Sequence, residues 1–329
     1  MTPLSSFRQQ LLALYPDGEA RAVTRLVAEE KFHLGVTDLL LGKDSEMSEA
    51  DKAEARNILT RLLKGEPVQY VLGTATFLGR RFTVGQGCLI PRPETEDLLS
   101  QTLGYLDEDK GELSFLDIGT GSGCIAISIA LRSPRFKVTA WDISEEALQY
   151  ARHNARANES RAEARFQLCR VPPSLAAGNA RANESRAEAC FQLCRVPPSL
   201  AAGHAINHAV SVLFECRDIL RPLPDNRLYD VILSNPPYVL QSEAERMERN
   251  VLDFEPHIAL FVPDDDPLLF HRAIAEFALG HLRQGGSIHL EVNERLAGEC
   301  EALALGLGYS KVTLNEDRNG KPRCLHAWL

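Results

Sequence analysis

The glycine-rich segment FLDIGTGSG (115–123) follows a predicted strand and could bind a nucleoside. Glycines adopt backbone angles that other residues rarely reach, and they let a ligand approach the main chain closely. The candidate ligand-binding residues of this turn are Gly119, Thr120, Gly121, Ser122 and Gly123. Asp142 lies 19 residues after Gly123, at the end of the second predicted strand, where a carboxylate suits the two hydroxyls of a ribose. The spacing therefore predicts a nucleoside-binding turn.

Three interpretations of this turn are compatible with its residues. Asp218, at the end of the third predicted strand, could bond an adenine amine. The segment GSGCIA also fits the pattern G-x-G-x-x-A, so a nicotinamide dinucleotide is an alternative, and a tight turn without a ligand is another. The sequence downstream lacks an evident second mononucleotide-binding half or hydride-transfer residues. An adenosine-containing ligand in one half-site, such as S-adenosylmethionine, is therefore favoured.

The tetrapeptide Asn-Pro-Pro-Tyr follows the fourth predicted strand, and its members are Asn235, Pro236, Pro237 and Tyr238. Asn235 Oδ1 and the Pro236 carbonyl can each accept a hydrogen from a planar –NH2 group, on which Tyr238 can stack. The lone pair of that nitrogen then turns toward a methyl donor, so orientation and electrostatics drive an in-line displacement. Elsewhere in a chain, two prolines would indicate only a rigid turn. Here they predict N-methylation.

The elements that must position these residues begin at about residue 113, where predicted strands and helices alternate. Such alternation predicts a parallel, doubly wound α/β sheet with ligands at the carboxyl ends of its strands. Two terminal strands add a mixed edge. The predicted strands are LSFLDIG, KVTAWDIS, VSVLFECRD, YDVILSNPPY, SIHLEV, SKVTLNED and CLHAWL.

Residues 1 to about 74 show helical periodicity instead. Phe7, Leu11 and Leu14 form one apolar stripe, and Ser48 with Asp51 resembles a capping box at the start of a later helix. These stripes predict a small helical bundle. The segment 75–92 alternates in polarity and contains glycines, as a β-hairpin does.

A tandem repeat interrupts the sheet region. Residues 154–178 and 179–203 differ only at Arg165 and Cys190. Two copies are too few for a solenoid, so the repeat is interpreted as a solvated insertion, with a partner-binding arm as the alternative. It lies between a helix and the following strand, on the sheet edge opposite the ligand crevice.

Composition limits the function classes. The formal charge of −9 argues against a protein whose main task is nucleic-acid binding. The first residues lack the charge and apolar pattern of a signal peptide, and no run of 18 apolar residues occurs, so we expect neither secretion nor a membrane span. The eight cysteines form no C-x-x-C pair and are interpreted as reduced thiols, without a metal site. We therefore expect a cytoplasmic protein without membrane or direct nucleic-acid contact. A monomer is expected as well, although composition does not bear on it.

Together with the glycine turn and SNPPYV, two further segments carry a resemblance to a known family. These are GEPVQYVLGTATFLGRRFTVGQGCLIPRPETEDLL (65–99) and EPHIAL, with a weaker match at NEDRNGKPR. The chain resembles the HemK/PrmC-type protein-(glutamine-N5) methyltransferases, which modify peptide chain release factors. Outside residues of about 155–206, the resemblance covers nearly the whole chain.

The resemblance implies a release-factor-docking domain at 1–74, a hairpin linker at 75–92 and a methyltransferase domain at 93–329 with an insertion at about 155–206. The last would be a seven-stranded, Rossmann-like class I domain that uses S-adenosylmethionine and yields S-adenosylhomocysteine. Its substrate would be the glutamine of the Gly-Gly-Gln motif, whose methylation modulates translation termination.

By position, the resemblance assigns the glycine turn, Asp142, Asp218 and Ile219 to the cofactor. It assigns the Asn-Pro-Pro-Tyr residues to glutamine, with Asn235 also facing the cofactor, and places Arg92, Glu94 and Thr95 beside the pocket. Two features depart from the family pattern: the repeat, and FVPDDDPLLF after EPHIAL. An adenine-N6 methyltransferase of DNA or RNA and a non-catalytic adaptor are the alternatives.

Overall fold

The computed structural model describes residues 2–106, 111–169, 211–221 and 225–329, with the backbone alone from 160 to 169. Most of the tandem repeat, including its whole second copy, lies outside these residues. The described part comprises a helical N-terminal region, a short hairpin and a seven-stranded sheet with helices. Within the described ranges, no helix is both long enough and apolar enough to cross a lipid bilayer.

The N-terminal region packs its helices around one apolar core. Ser48 and Asp51 form the predicted capping box: the Ser48 hydroxyl accepts from the Asp51 amide at 3.1 Å, and the Asp51 carboxylate accepts from the Ser48 amide at 3.2 Å. Phe7 and Leu11 are buried as predicted, but the prediction for Leu14 is wrong, because the first helix ends at Leu11 and leaves Leu14 49% exposed. The helices are α1 (Pro3–Leu11), α2 (Asp17–Phe32), α3 (Val36–Leu40), α4 (Glu49–Leu63) and α5 (Val68–Leu72).

A short hairpin follows, with antiparallel strands β1 (Thr74–Phe77) and β2 (Arg80–Thr83). It confirms the hairpin predicted within residues 75–92, and the rest of that range is a loop. Phe77 and Phe82 are fully buried and meet edge to face, with ring centroids 6.1 Å apart. They belong to the same apolar cluster as the central strands, so the hairpin is anchored to the sheet.

Seven strands form the main sheet: β3 (Leu113–Ile118), β4 (Phe136–Asp142), β5 (Val212–Cys216), β6 (Tyr229–Ser234), β9 (Leu282–Glu291), β10 (Lys311–Glu316) and β11 (Pro322–Trp328). Two further strands, β7 (Val239–Leu240) and β8 (Phe261–Val262), form a separate parallel pair. The strand order of the main sheet is β10-β11-β9-β6-β3-β4-β5. The five strands from β9 to β5 in this order are parallel, and β11 and β10 add an antiparallel edge. The predicted doubly wound sheet with a mixed edge is thus confirmed.

Two apolar clusters join helices to the sheet. One contains Leu99, Ile127 and Ala155, and the other contains Ile274 and Cys300. Burial of these aliphatic side chains supplies the main favourable term that holds the layers together. The helices are α6 (Pro93–Tyr105), α7 (Cys124–Ala130) and α8 (Glu145–Cys169) in the first cluster, α10 (Leu269–His281) and α11 (Ala297–Gly306) in the second, and the short α9 (Arg249–Phe254).

Helix α8 contains the beginning of the first repeat copy. Asn154 is fully buried, and its amide group exchanges two hydrogen bonds with the backbone of Thr83, at 2.6 and 2.9 Å. Asn158 is also buried, and its Nδ2 donates to the Arg81 carbonyl at 3.1 Å. The first residues of the repeat therefore fasten α8 to the hairpin. Helix α8 continues through the repeat to Cys169, and residues 170–210 lie outside the described residues.

A chain of polar side chains holds α6 against the sheet. The Gln101 amide donates to the Glu316 carbonyl, so its oxygen accepts from His326 Nε2 at 3.0 Å. His326 Nδ1 must then accept from His289 Nδ1, 2.6 Å away, and His289 Nε2 accepts from the Ser287 hydroxyl. With both imidazoles neutral every one of these bonds is satisfied, and burial lowers the pKa of His326 to about 4.

The stability of this fold is expected to fall on mild acidification. The unfolded state takes up a proton on His326 near its ordinary pKa of 6.5, whereas the folded state resists protonation down to about pH 4. The free energy of unfolding should therefore decrease between these values, by about 3 kcal/mol for this group. Urea titrations at several pH values would measure this. His326→Asn should flatten the profile more than His257→Asn, which alters an exposed imidazole; equal profiles would refute the assignment.

Candidate active site

A cavity of about 320 Å³ opens at the carboxyl ends of the parallel strands, where the fold predicts ligands. Its walls come from the glycine turn after β3, the ends of β4 to β6 and the loop after the hairpin. Apolar side chains dominate, with a few polar groups among them, as is usual for small-molecule sites. The lining includes Ile90, Arg92, Thr95, Gly119, Thr120, Gly121, Ser122, Asp142, Ile143, Asp218, Ile219, Asn235, Pro236, Pro237 and Ile258.

The glycine turn is shaped by backbone angles that side chains oppose. Gly119 has a φ of +74° and Gly123 a φ of +80°. A Cβ on Gly123 would lie 2.8 Å from Ile127 Cδ1 and 3.3 Å from the Cα of Ala151, so glycine lets α8 pack closely against the start of α7. A Cβ on Gly119 would point to the Asn235 carbonyl oxygen at 3.8 Å. The turn therefore lies beside the Asn235 backbone, with room for about one methyl group between them.

Two carboxylates stand at the ends of neighbouring strands. Asp142 Oδ2 accepts from the Gly121 amide at 2.8 Å, and its Oδ1 accepts from the Ser144 amide at 2.9 Å. Burial raises its pKa above the ordinary value. Asp218 Oδ1 accepts from the Leu220 amide at 2.9 Å. Each carboxylate oxygen keeps a second lone pair, so both groups can accept hydrogen bonds from a ligand.

Asn235 has a hydrogen-bonded support behind it. Its Nδ2 donates to Thr95 Oγ1 at 2.9 Å, and the Thr95 hydroxyl donates to Glu291 Oε2 at 2.7 Å. The Tyr238 hydroxyl donates to the other oxygen of Glu291 at 2.8 Å. Glu291 is completely buried at the end of β9. Among the described residues, Asn235 Oδ1 receives no hydrogen bond, which leaves an acceptor for the cavity.

Comparison with known proteins places the chain in a family. The PrmC N-terminal domain matches residues 4–73, and a methyltransferase domain matches residues 109–175. The chain is 37% identical to the release factor glutamine methyltransferase of Bacteroides thetaiotaomicron, covering 97% of this chain and 96% of that relative. It is 32% identical to the release factor glutamine methyltransferase of Flavobacterium psychrophilum, covering 98% of this chain and 96% of that relative. The chain belongs to the release factor glutamine methyltransferase family.

Solved structures are also similar to this member of the family. A release factor-specific protein-(glutamine-N5) methyltransferase from Alicyclobacillus acidocaldarius is 24% identical with a TM-score of 0.37, covering 75% of this chain and 98% of that chain. A methyltransferase from Pyrococcus furiosus is 19% identical with a TM-score of 0.44, covering 83% of this chain and 98% of that chain. The methyltransferase domain match and the seven-stranded sheet confirm the predicted class I fold.

Most residues that the sequence assigned to this methyltransferase's site meet at the cavity. Four of the five residues of the glycine turn, both carboxylates, Ile219, Asn235 and the two prolines line the cavity, as do Arg92 and Thr95. Gly123 does not line the cavity, so its contact with the cofactor stays a prediction. Tyr238 and Glu94 are not among the lining residues, and the Tyr238 hydroxyl is bound to Glu291. The stacking role of Tyr238 and the contact of Glu94 with the pocket stay predictions.

Sequence reasoning missed two buried glutamates. Glu291 receives hydrogen bonds from Thr95 and Tyr238, and Glu255 accepts from the Ile90 amide at 3.2 Å and pairs with the Arg92 guanidinium. Glu291 could have been found, because it ends a predicted strand at the carboxyl edge of the sheet. Glu255 belongs to EPHIAL, and its carboxylate fixes the loop that precedes α6.

Proposed function

We propose that this chain transfers a methyl group from S-adenosylmethionine to the side-chain amide nitrogen (N5) of the glutamine in the Gly-Gly-Gln motif of peptide chain release factors. The observation that carries the proposal is Asn235, which lines the cavity and whose Nδ2 is bonded to Thr95, so that Oδ1 stays available as an acceptor. The names of the full-length relatives support release factors as the substrate.

The cavity fits S-adenosylmethionine by the chemistry of its walls. The open gap at Gly119, which a Cβ would narrow, gives access to backbone groups of the turn. Asp142 offers acceptors for the ribose hydroxyls, and Asp218 with the apolar Ile219 suits an adenine ring. S-adenosylmethionine, when bound, supplies an electrophilic methyl group on a sulfonium sulfur. These residues of the chain hold and orient it.

The residues of the chain contribute to the reaction by positioning the glutamine amide. Asn235 Oδ1 and the Pro236 carbonyl accept the two N–H hydrogens of the glutamine amide, and proline contributes no competing N–H. An amide nitrogen held in this way can present its lone pair to the methyl group. No strong base is needed beforehand, because the nitrogen becomes acidic only as it is alkylated. The rate enhancement comes from orientation and fixed dipoles.

We further propose that residues 1–74 dock the release factor, residues 75–92 link the two domains, and residues 93–329 carry the reaction. In the N-terminal region Leu40 and Leu41 are 83% and 68% exposed, beside the half-exposed Val36. Adjacent exposed aliphatic side chains of this kind favour a protein partner.

Mass spectrometry tests the proposal. Purified protein is incubated with isotope-labelled S-adenosylmethionine and with release factor, DNA or RNA in separate reactions. One labelled methyl group should appear on the loop glutamine, and a release factor with glutamate at that position should remain unlabelled. Label in nucleic acid alone would identify the adenine-N6 alternative, and cofactor binding without any transfer would favour the adaptor.

A further inference from the structure

Four side chains from three elements meet at the cavity wall. Thr95 comes from the first turn of α6, Glu291 ends β9, and Asn235 and Tyr238 come from the segment after β6. Ser234 pairs with Leu290 in the sheet, so the next residues along the two strands, Asn235 and Glu291, are neighbours. Thr95 is 3% exposed and Glu291 is 0% exposed. The arrangement is fixed by the sheet and by α6.

The number of available protons determines the direction of each hydrogen bond. An ionised carboxylate only accepts, and Glu291 receives hydroxyls at 2.7 and 2.8 Å on its two oxygens. Thr95 has a single hydroxyl proton, which goes to Glu291. Its oxygen can then only accept a bond from Asn235. If Asn235 Oδ1 faced Thr95, it would lie against the Thr95 oxygen with no proton between the two. The Asn235 amide therefore turns Nδ2 toward Thr95.

We propose that Thr95 and Glu291 are positioning residues, which hold the Asn235 amide in the orientation that turns Oδ1 toward the substrate. The consequence, which rests on the proposed function, is selectivity for glutamine over glutamate. A glutamine amide offers N–H groups to Oδ1, whereas a glutamate carboxylate would place acceptor against acceptor. If the Asn235 amide were turned by 180°, Nδ2 would face the substrate and would favour the glutamate carboxylate.

Further contacts make this support rigid. The carbonyl of Glu291 is hydrogen-bonded by His271 Nε2 at 3.0 Å, and His271 is itself buried. The Asn293 amide donates to the Tyr238 carbonyl at 3.2 Å, which fixes the segment after the two prolines. Because the carboxylate of Glu291 is anchored on both oxygens, the Thr95 hydroxyl keeps one direction.

Thr95→Val tests the proposal, because valine keeps the shape of threonine and removes its hydroxyl. The kcat/KM for release factor should fall by roughly tenfold to thirtyfold, as expected for losing one oriented hydrogen bond. The dissociation constant of S-adenosylmethionine should stay within about twofold, because the Thr95 hydroxyl is already hydrogen-bonded to Glu291 and Asn235. Thr95→Ser restores the hydroxyl and should recover most of the lost activity.

Selectivity gives a readout that a merely structural role would not change. Wild-type protein should bind release factor with the loop glutamine at least about tenfold tighter than the glutamate form, and Thr95→Val should reduce this ratio to roughly threefold or less. Thr102→Val is the matched control: Thr102 is buried on the same helix, but its hydroxyl donates to the Leu98 carbonyl within α6. An unchanged ratio in Thr95→Val, or a serine variant as impaired as the valine variant, would overturn the proposal.

A second measurement needs no release factor and separates this inference from the proposed function. In protein labelled with ¹⁵N-asparagine, the Asn235 side-chain NH2 signal, assigned through its loss in Asn235→Ser, should show one hydrogen-bonded proton. That signature should persist in Thr95→Ser and disappear in Thr95→Val. Its persistence in the valine variant refutes the positioning role even if the protein methylates another substrate. Should the valine variant not fold, Thr95→Ala carries the same expectations.

Discussion

Asn235→Ala should lower kcat for release factor methylation by about a thousandfold, the size of losing a polar group aimed at the reacting centre. Asn235 lines the cavity, and we propose its Oδ1 as the acceptor for the glutamine amide because Nδ2 is bonded to Thr95. Alanine leaves the Pro236 carbonyl as the remaining acceptor. The amide nitrogen can then rotate, and its lone pair no longer faces the methyl group.

Cofactor binding should separate this effect from a general disruption of the site. The dissociation constant of S-adenosylmethionine, measured by calorimetry, should change by less than about threefold, because the turn and Asp142 are intact. Asn315→Ala is a suitable control, since Asn315 lies on β10 and its amide donates to the Tyr105 hydroxyl. Turnover in Asn235→Ala that matches this control would remove Asn235 from the mechanism.

The main features of the fold were predictable because they are local in sequence. The alternation of apolar strands and helices from residue 113 onward gave the doubly wound sheet, and the spacing of Gly119 and Gly123 gave the turn. Asp142 could be placed at the cavity for the same reason: it ends a strand, and the carboxyl ends of parallel strands meet at one edge.

The support behind Asn235 could not be derived in that way. Thr95 and Glu291 are 196 positions apart in the sequence. Their contact depends on α6 packing against β9 and β11. The strand order that places β9 next to β6 is equally invisible in local spacing. Leu14 shows the opposite failure: its helical spacing was favourable, yet α1 ended one turn earlier and left it exposed.

The other large effect is expected at Asp142, where Asp142→Asn should weaken S-adenosylmethionine binding by about a hundredfold, equivalent to two charge-assisted hydrogen bonds. Both oxygens of this carboxylate already accept a backbone N–H, from Gly121 and from Ser144. An asparagine must turn its NH2 group toward one of these donors. The substitution therefore removes the charge that suits the ribose hydroxyls and also disturbs the turn.

Calorimetry at neutral pH would measure the loss, with Asp230→Asn as the matched control. Asp230 lies at the beginning of β6, where its carboxylate accepts from the Ser114 amide at 2.7 Å and pairs with Arg283. In a parallel sheet the beginnings of the strands lie at the edge away from the cavity, so this variant should bind cofactor normally. If cofactor binding weakened comparably in both variants, Asp142 would affect binding only through the stability of the sheet. A loss confined to Asp142→Asn would assign the ribose contact to this carboxylate.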